Sequence, residues 1–202
     1  MVLDSMKPYY PYPEVMPKLD DYAFLMPHID KIETEQAEYL GGLLYDVLCP
    51  LSVIDWGCAS GLYLSPFASR GVTVMGIDAE PTGGGQLFPG DFYCMDIRRP
   101  IYTEHFELAL CIEVGEHLHP EYADVLIENI TRSVDTVFWS AARPGQGGQF
   151  HYNEQTISYW MRKFALYDFL LHPENERVLT AINRSGKCVR WLRRNSRLLG
   201  RV

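Results

Sequence analysis

From residue 51 onward the chain alternates short β-rich runs with stretches of helical periodicity, and that alternation leaves few folds open. Strands are expected at 51–56, 72–77, 91–95, 106–112 and 136–140, with a later one near 165–171 and a weak one near the C-terminus. Helices are expected over 61–69, 120–133, 154–164 and 174–182. One more should precede the first strand, because Ile32, Tyr39, Leu40, Leu43, Leu44 and Val47 recur near helical spacing between residues 31 and 48. Strand and helix in succession predict an α/β fold, a parallel sheet flanked by helices.

At 202 residues there is room for one core, so the domain is expected to run over 31–202. Ahead of it, residues 1–30 carry Pro8, Pro11, Pro13, Pro17 and Pro27 among Tyr9, Tyr10, Tyr12, Tyr22 and Phe24. Prolines at that density exclude a long helix, and a Pro/Tyr-rich extended N-terminal arm is expected, either a lid or packed outside the domain. A net charge of −8 opposes binding to a long nucleic acid and favours a small-molecule substrate. Against that field, Arg184, Lys187, Arg190, Arg193, Arg194, Arg197 and Arg201 crowd the C-terminal end, where the simplest reading is a solvated face on an exposed tail. Five scattered cysteines without a CxxC pair read as free, buried thiols of a reducing compartment. With no signal-peptide pattern and no apolar run of about 18 residues, a cytoplasmic protein without a membrane span is expected.

Chemistry enters at the end of the first strand. Ser52-Val53-Ile54-Asp55-Trp56-Gly57-Cys58-Ala59-Ser60-Gly61 is an apolar strand closing in DxGxxxG before a helix. Gly57 and Gly61 allow the sharp turn and a close backbone approach, and Asp55 stands at the strand's carboxyl end, where such sheets bind ligands. The GxGxxG spacing that wraps a pyrophosphate is missing, which disfavours a nicotinamide oxidoreductase; an acid before the turn suits the ammonium end of S-adenosylmethionine. Asp78 closes the second strand about 20 residues after the turn, where an acid accepts from ribose hydroxyls. Asp96 closes the third, in reach of an adenine amine.

With VIDWGCASG, GIDAE, CMDI and FELALCIEVGEHL in that order, residues 51–159 resemble the class I S-adenosylmethionine-dependent methyltransferases. The resemblance implies a Rossmann-like, seven-stranded, mostly parallel sheet with one antiparallel strand, and an enzyme that transfers a methyl group. It implies cofactor contacts from Asp55, Gly57, Cys58, Ser60, Gly61, Asp78, Asp96, Ile97, Ile112 and Glu113. The basic VRWLRRNSRLLGRV departs from the pattern and makes the last strand hard to assign.

Beside the fourth strand, Glu113, Glu116 and His117 stand at i, i+3 and i+4, one face of a helical turn, and can together bind a divalent metal. After the fifth strand, Pro144-Gly145-Gln146-Gly147-Gly148-Gln149-Phe150-His151 has glycines that let the backbone bring His151 over the same mouth. ExxEH with a later His is similar to metal-dependent 2′-O-methyltransferases of small RNAs and to ubiquinone-pathway O-methyltransferases. That resemblance implies Glu113, Glu116, His117 and His151 as ligands of Mg, Mn, Fe or Zn. Two imidazoles favour the softer ions. The expected function is O-methylation of a small molecule, with Glu116, His117 and His151 handling the acceptor. Two alternatives stand beside it: a metal-free N- or C-methyltransferase with His117 or His151 as base, and a non-catalytic module that binds S-adenosylmethionine or touches RNA through its basic tail. His119 is expected at the surface, Trp56 and Trp139 in the core or the pocket wall, and Gly83–Gly85 in a turn.

Overall fold

The structure, a computed structural model, describes residues 31–79 and 86–202. The expected arm over 1–30 and the Gly83–Gly85 turn lie outside the described residues. Seven strands form one sheet: β1 (Ser52–Trp56), β2 (Thr73–Asp78), β3 (Asp91–Cys94), β4 (Leu108–Ile112), β5 (Thr136–Ser140), β6 (Phe169–Leu171) and β7 (Arg197–Arg201). Their order is β3-β2-β1-β4-β5-β7-β6, parallel except for β7, which runs antiparallel to both of its neighbours.

Central strands buried on both faces must be apolar throughout, and β4, Leu-Ala-Leu-Cys-Ile, is. Alternate side chains feed two cores: Leu108, Leu110 and Phe138 enter one, while Ala109, Cys111, Val137 and Trp139 enter the other. Helices α1 (Lys31–Leu48), α2 (Ser65–Ala68), α5 (Asn175–Arg184) and α6 (Arg190–Asn195) cover the first core with Leu40, Leu44, Phe67, Val178, Ile182 and Leu192. The second is covered by α3 (Ala123–Ser133) and α4 (Ile157–Ala165), through Leu126, Ile127, Ile130, Trp160 and Phe164.

Where boundaries differ from the sequence reading, local chemistry explains the shift. The helix expected at 61 begins only at Ser65, since Gly61 has φ of +78° and starts a turn instead. The helix expected at 154 begins at Ile157, because Thr156 caps it by accepting from the Tyr159 N–H at 3.2 Å. The last seven residues are no solvated tail. Leu198 and Leu199 are fully buried in β7, and Arg201 holds its exit by donating to Asp135 at 2.7 Å while lying 4.7 Å from the centre of the Phe169 ring. All five cysteines are free, but only Cys58, Cys111 and Cys188 are buried; Cys49 and Cys94 are exposed. No helix among the described residues is long and apolar enough to cross a membrane.

Candidate active site

The carboxyl ends of β1, β2 and β3 bring Asp55, Asp78 and Asp96 to one edge, each almost fully buried. The turn after β1 is fixed by its backbone: Gly57 and Cys58 donate to the Ile77 carbonyl at 2.8 and 3.1 Å, and Ala59 donates to Asp78 Oδ2 at 2.8 Å. Gly57, Ala59 and Gly61 all take positive φ. A side chain at 57 would strike Val114 at 2.5 Å, and one at 61 would strike the Phe88 ring at 2.0 Å. The second glycine is therefore demanded by a neighbouring aromatic ring as well as by the turn.

Electrostatics at this edge are unbalanced. Burial, followed by the nearby Asp78 carboxylate, pushes the Asp55 carboxyl up to about 7. No described residue donates a hydrogen bond to it. A cation seated against Asp55 would relieve both contributions. Asp96 is already engaged: Arg98 donates to Oδ1 from its backbone N–H at 3.0 Å and from Nε at 2.7 Å, and to Oδ2 from Nη2 at 2.8 Å. Of about four lone pairs on a carboxylate, one on Oδ2 stays open for an outside donor.

Across β4 and β5 the acceptor-side residues converge differently from the one-face pattern. Glu113 sits at φ +54°, which interrupts any helix before the single 3-10 turn Gly115–His117. Its carboxylate accepts from the Ser140 hydroxyl, from Gln146 Nε2 at 3.1 Å and from Asn195 Nδ2 at 3.1 Å. Among the described residues, the group able to hold a metal is Glu116, His117 and His151, with ligand atoms within 4.8 Å of one another. Gly115 makes room for this turn: a side chain there would meet Trp139 at 2.9 Å and Trp160 at 3.0 Å. Both indoles, like that of Trp56, are buried in the core.

Glu116 is fully buried, and neither carboxyl oxygen has a well-formed hydrogen bond. Burial and then the Glu113 charge push it up to about 9, and the nearby amides of Glu116 and Ala142 offset only part of this. At neutral pH it is a neutral acid unless a cation approaches. Burial, then the neighbouring His151, holds His117 below the usual imidazole range, despite the Phe150 carbonyl that accepts from Nδ1 at 3.3 Å. The two imidazoles meet edge to face, with centroids 4.9 Å apart. His119 is exposed, as expected, and stacks on Tyr152.

Sequence reading missed a group that organises this mouth. Glu154 Oε1 lies 2.9 Å from His151 Nδ1, and its carboxylate also accepts from the Gly145 and Gly147 amides at 2.8 and 2.7 Å. The His151 hydrogen bond holds its carboxyl below the ordinary range, so it stays ionised and keeps the Nδ1 proton in place. Nε2 of His151 then carries the lone pair, as does Nε2 of His117 opposite its own Nδ1–H. The i, i+3 spacing of His151 and Glu154 was a readable signal. Ser140 and Asn195, which fix Glu113, had none, because Asn195 arrives from 82 residues away. Tyr152 and Asn153 donate to the Glu116 carbonyl at 2.8 and 3.0 Å and clip the glycine-rich loop over the turn.

No family model matches the chain. A ubiquinone biosynthesis O-methyltransferase of Methylobacterium nodulans is 28% identical over 116 residues, covering 57% of this chain and 45% of that protein. The magnesium protoporphyrin IX methyltransferase of Synechocystis PCC 6803, solved with bound S-adenosylmethionine, shares the fold at a TM-score of 0.59 and 16% identity, over 92% of both chains. The chain has the fold of the class I S-adenosylmethionine-dependent methyltransferases. A second solved structure with the same fold, the 1,6-didemethyltoxoflavin-N1-methyltransferase of Burkholderia thailandensis, matches this chain at a TM-score of 0.59 and 16% identity, over 90% of this chain and 84% of its own length. The chain spans less than half the length of the curated relatives it matches.

Proposed function

We propose that the chain is an enzyme that transfers a methyl group from S-adenosylmethionine to an oxygen of a small molecule. The observation that carries this reading is the trio of buried carboxylates, Asp55, Asp78 and Asp96, at the tips of three adjacent parallel strands beside the Gly57–Gly61 turn. Asp55 would hold the α-ammonium, Asp78 the ribose hydroxyls, and the open lone pair of Asp96 the adenine amine. Gly57, Cys58, Ser60 and Gly61 would supply the turn, with Ile97, Ile112 and Glu113 lining the cradle. When bound, the cofactor supplies a methyl group already activated on a sulfonium, so this chain's task is to position an acceptor and take its proton.

Glu116, His117 and His151 are the acceptor-side set. A buried carboxyl without a partner, next to two imidazoles whose Nδ1 is engaged and whose Nε2 keeps its lone pair, fits a divalent cation of the softer kind, manganese, iron or zinc. Such a cation would lower the pKa of an acceptor hydroxyl. Glu113 would stand behind it, positioned by Ser140, Gln146 and Asn195. A second reading rests on the Glu154–His151 hydrogen bond: without a cation, Nε2 of His151 takes the acceptor hydroxyl proton as general base, and Glu154 steadies the imidazolium.

Two measurements test the proposal. Calorimetry of the purified chain with S-adenosylhomocysteine should register binding; no heat removes the cofactor reading. Transfer of labelled methyl from S-adenosylmethionine to a panel of phenols and catechols, run before and after exhaustive chelation, separates the two acceptor-side readings. Full turnover after chelation leaves His151 as the base.

A further inference from the structure

The antiparallel return of β7 has a consequence for the substrate. Because β7 runs against β5, pairing Arg197 with Trp139, its beginning lies at the sheet edge where β5 ends and the acceptor loop starts. The basic C-terminal segment therefore arrives at the mouth of the candidate active site. A cleft of about 830 Å³ opens there, walled by Arg143 and Gln146 of the acceptor loop and by Arg190, Trp191, Arg194 and Asn195 of α6. Among the described residues, no Asp or Glu lines it. Among the described residues, no carboxylate stands within ion-pair distance of Arg143, Arg190 or Arg194, although acids outnumber bases 26 to 18 in the chain.

Gln146 and Asn195 belong to both places. They wall the cleft, they bond each other at 2.9 Å, and they hold the Glu113 carboxylate. A ligand seated among the arginines is thus one residue layer from Glu113, the neighbour of the acceptor-side set. Thr156 at the cleft wall opens α4, whose N-terminal amides add positive potential. Arg197 stands beside Arg143 closely enough for the two charges to oppose one another, and an anion between them would relieve that repulsion.

We infer that Arg143, Arg190 and Arg194 form a subsite for an anionic group, a phosphate or carboxylate, carried by the acceptor molecule at some remove from the atom that is methylated. Guanidinium forks suit both anions, since each offers paired oxygens to parallel N–H donors. The indole of Trp191 gives the rest of the acceptor a flat wall. This inference deepens the proposed methyl transfer and rests on it for the word acceptor. Anion binding itself can be measured without any turnover.

The test follows tryptophan fluorescence, with a Trp191→Phe chain as the control that assigns the change to Trp191 among the four tryptophans, as the full chain, saturated with S-adenosylhomocysteine, is titrated with phenyl phosphate, benzoate and phenol. Phenyl phosphate or benzoate should bind about tenfold more tightly than phenol, and whichever binds better tells phosphate from carboxylate. The Arg190→Gln, Arg194→Gln double variant should lose that preference while affinity for S-adenosylhomocysteine stays within about twofold. Arg190→Lys with Arg194→Lys, which keeps the charge and loses the fork, should retain part of it and guards against a folding defect in the first variant. Anions that bind no better than phenol, or a preference that survives the double glutamine change, would overturn the subsite. So would a single-stranded RNA that binds with a steep salt dependence while phenyl phosphate does not bind, since the cleft would then serve a polyanion. Loss of S-adenosylhomocysteine binding in the unmodified chain would strike the methyltransferase proposal alone and leave the anion titration to be repeated without it.

Discussion

The carboxyl edge of the sheet is built in two ways. On one side of β1, the ends of β1, β2 and β3 gather three buried acids around a turn held by the next strand along the chain, Asp78 to Ala59 and Ile77 to Gly57 and Cys58, and by the local Arg98 to Asp96 pair. On the other side, beyond β4 and β5, His151 has a near neighbour in Glu154, but the two acids sit in contacts that reach across the chain. Ser140, Gln146 and Asn195 grip Glu113, and the Glu116 carbonyl clips Tyr152 and Asn153. The first half is a rigid negative cradle, suited to one cationic nucleoside. The second is a loop-built mouth, with an acid, two imidazoles and an arginine cleft, and it can change acceptor by changing a loop while the cradle stays the same. Two of the five described non-glycine residues at positive φ, Glu113 and Phe150, lie in this mouth, and a third, Ala59, lies in the cradle turn. Strain of about 1–3 kcal/mol at each is held by surrounding bonds, which is how a site keeps a geometry the chain would not choose alone.

Substitutions that act on one half and spare the other would sharpen this contrast, and the largest effect is expected in the mouth. Glu116→Gln, an isosteric change of a neutral buried acid, should cut turnover by about a thousandfold while leaving S-adenosylhomocysteine affinity within about twofold. Steady-state rates beside calorimetry check it, and equal turnover would remove Glu116 from the mouth's chemistry. In the cradle, Gly61→Ala puts a methyl group into the Phe88 ring at a φ of +78°. It should cost about 3 kcal/mol in urea unfolding and weaken cofactor binding with it.

A smaller effect separates the halves by pH. The Asp55 carboxyl, at about 7 in the fold, lies above its unfolded value, so the native chain keeps a proton that the unfolded chain has released. Its contribution to stability is complete below the unfolded value, and it is lost as pH rises toward and through 7. Asp55→Asn should therefore stabilise the cofactor-free chain by about 2 kcal/mol at pH 8 and flatten its melting temperature between pH 4 and 7. The same variant should lose the rise in S-adenosylhomocysteine affinity that ionisation of Asp55 gives the parent chain above neutrality.

Glu154→Gln should lower turnover by about tenfold without disturbing the cradle, because it frees the His151 ring and the glycine loop together. The smallest effect is expected at the far end of β7. Arg201→Ala breaks a half-exposed pair with Asp135 together with its bonds to the Thr131, Val134 and Tyr167 carbonyls, and should cost about 1 kcal/mol in thermal unfolding. Turnover should not move, since that strand end lies away from both halves.

The cradle was legible in the sequence because its logic is local. A strand that ends in an acid, followed by glycines that alone tolerate the turn, determines where Asp55, Gly57 and Gly61 stand, and the same rule repeats at Asp78 and Asp96. The i, i+3, i+4 spacing found Glu116 and His117 but put Glu113 on their face, and only the positive φ at Glu113 turned its carboxylate toward Ser140. The tail was misjudged for a related reason. Its arginines make it look solvated, whereas Leu198 and Leu199 between them are enough to fill a central strand once β5 and β6 offer backbone partners on both sides. Turn chemistry and the order of elements are set by neighbours along the chain, so the sequence alone determined the α/β scaffold and the cradle. Which distant side chain meets Glu113, and which cleft the basic segment lines, depended on strand pairing across the sheet, and only the tertiary structure could decide it.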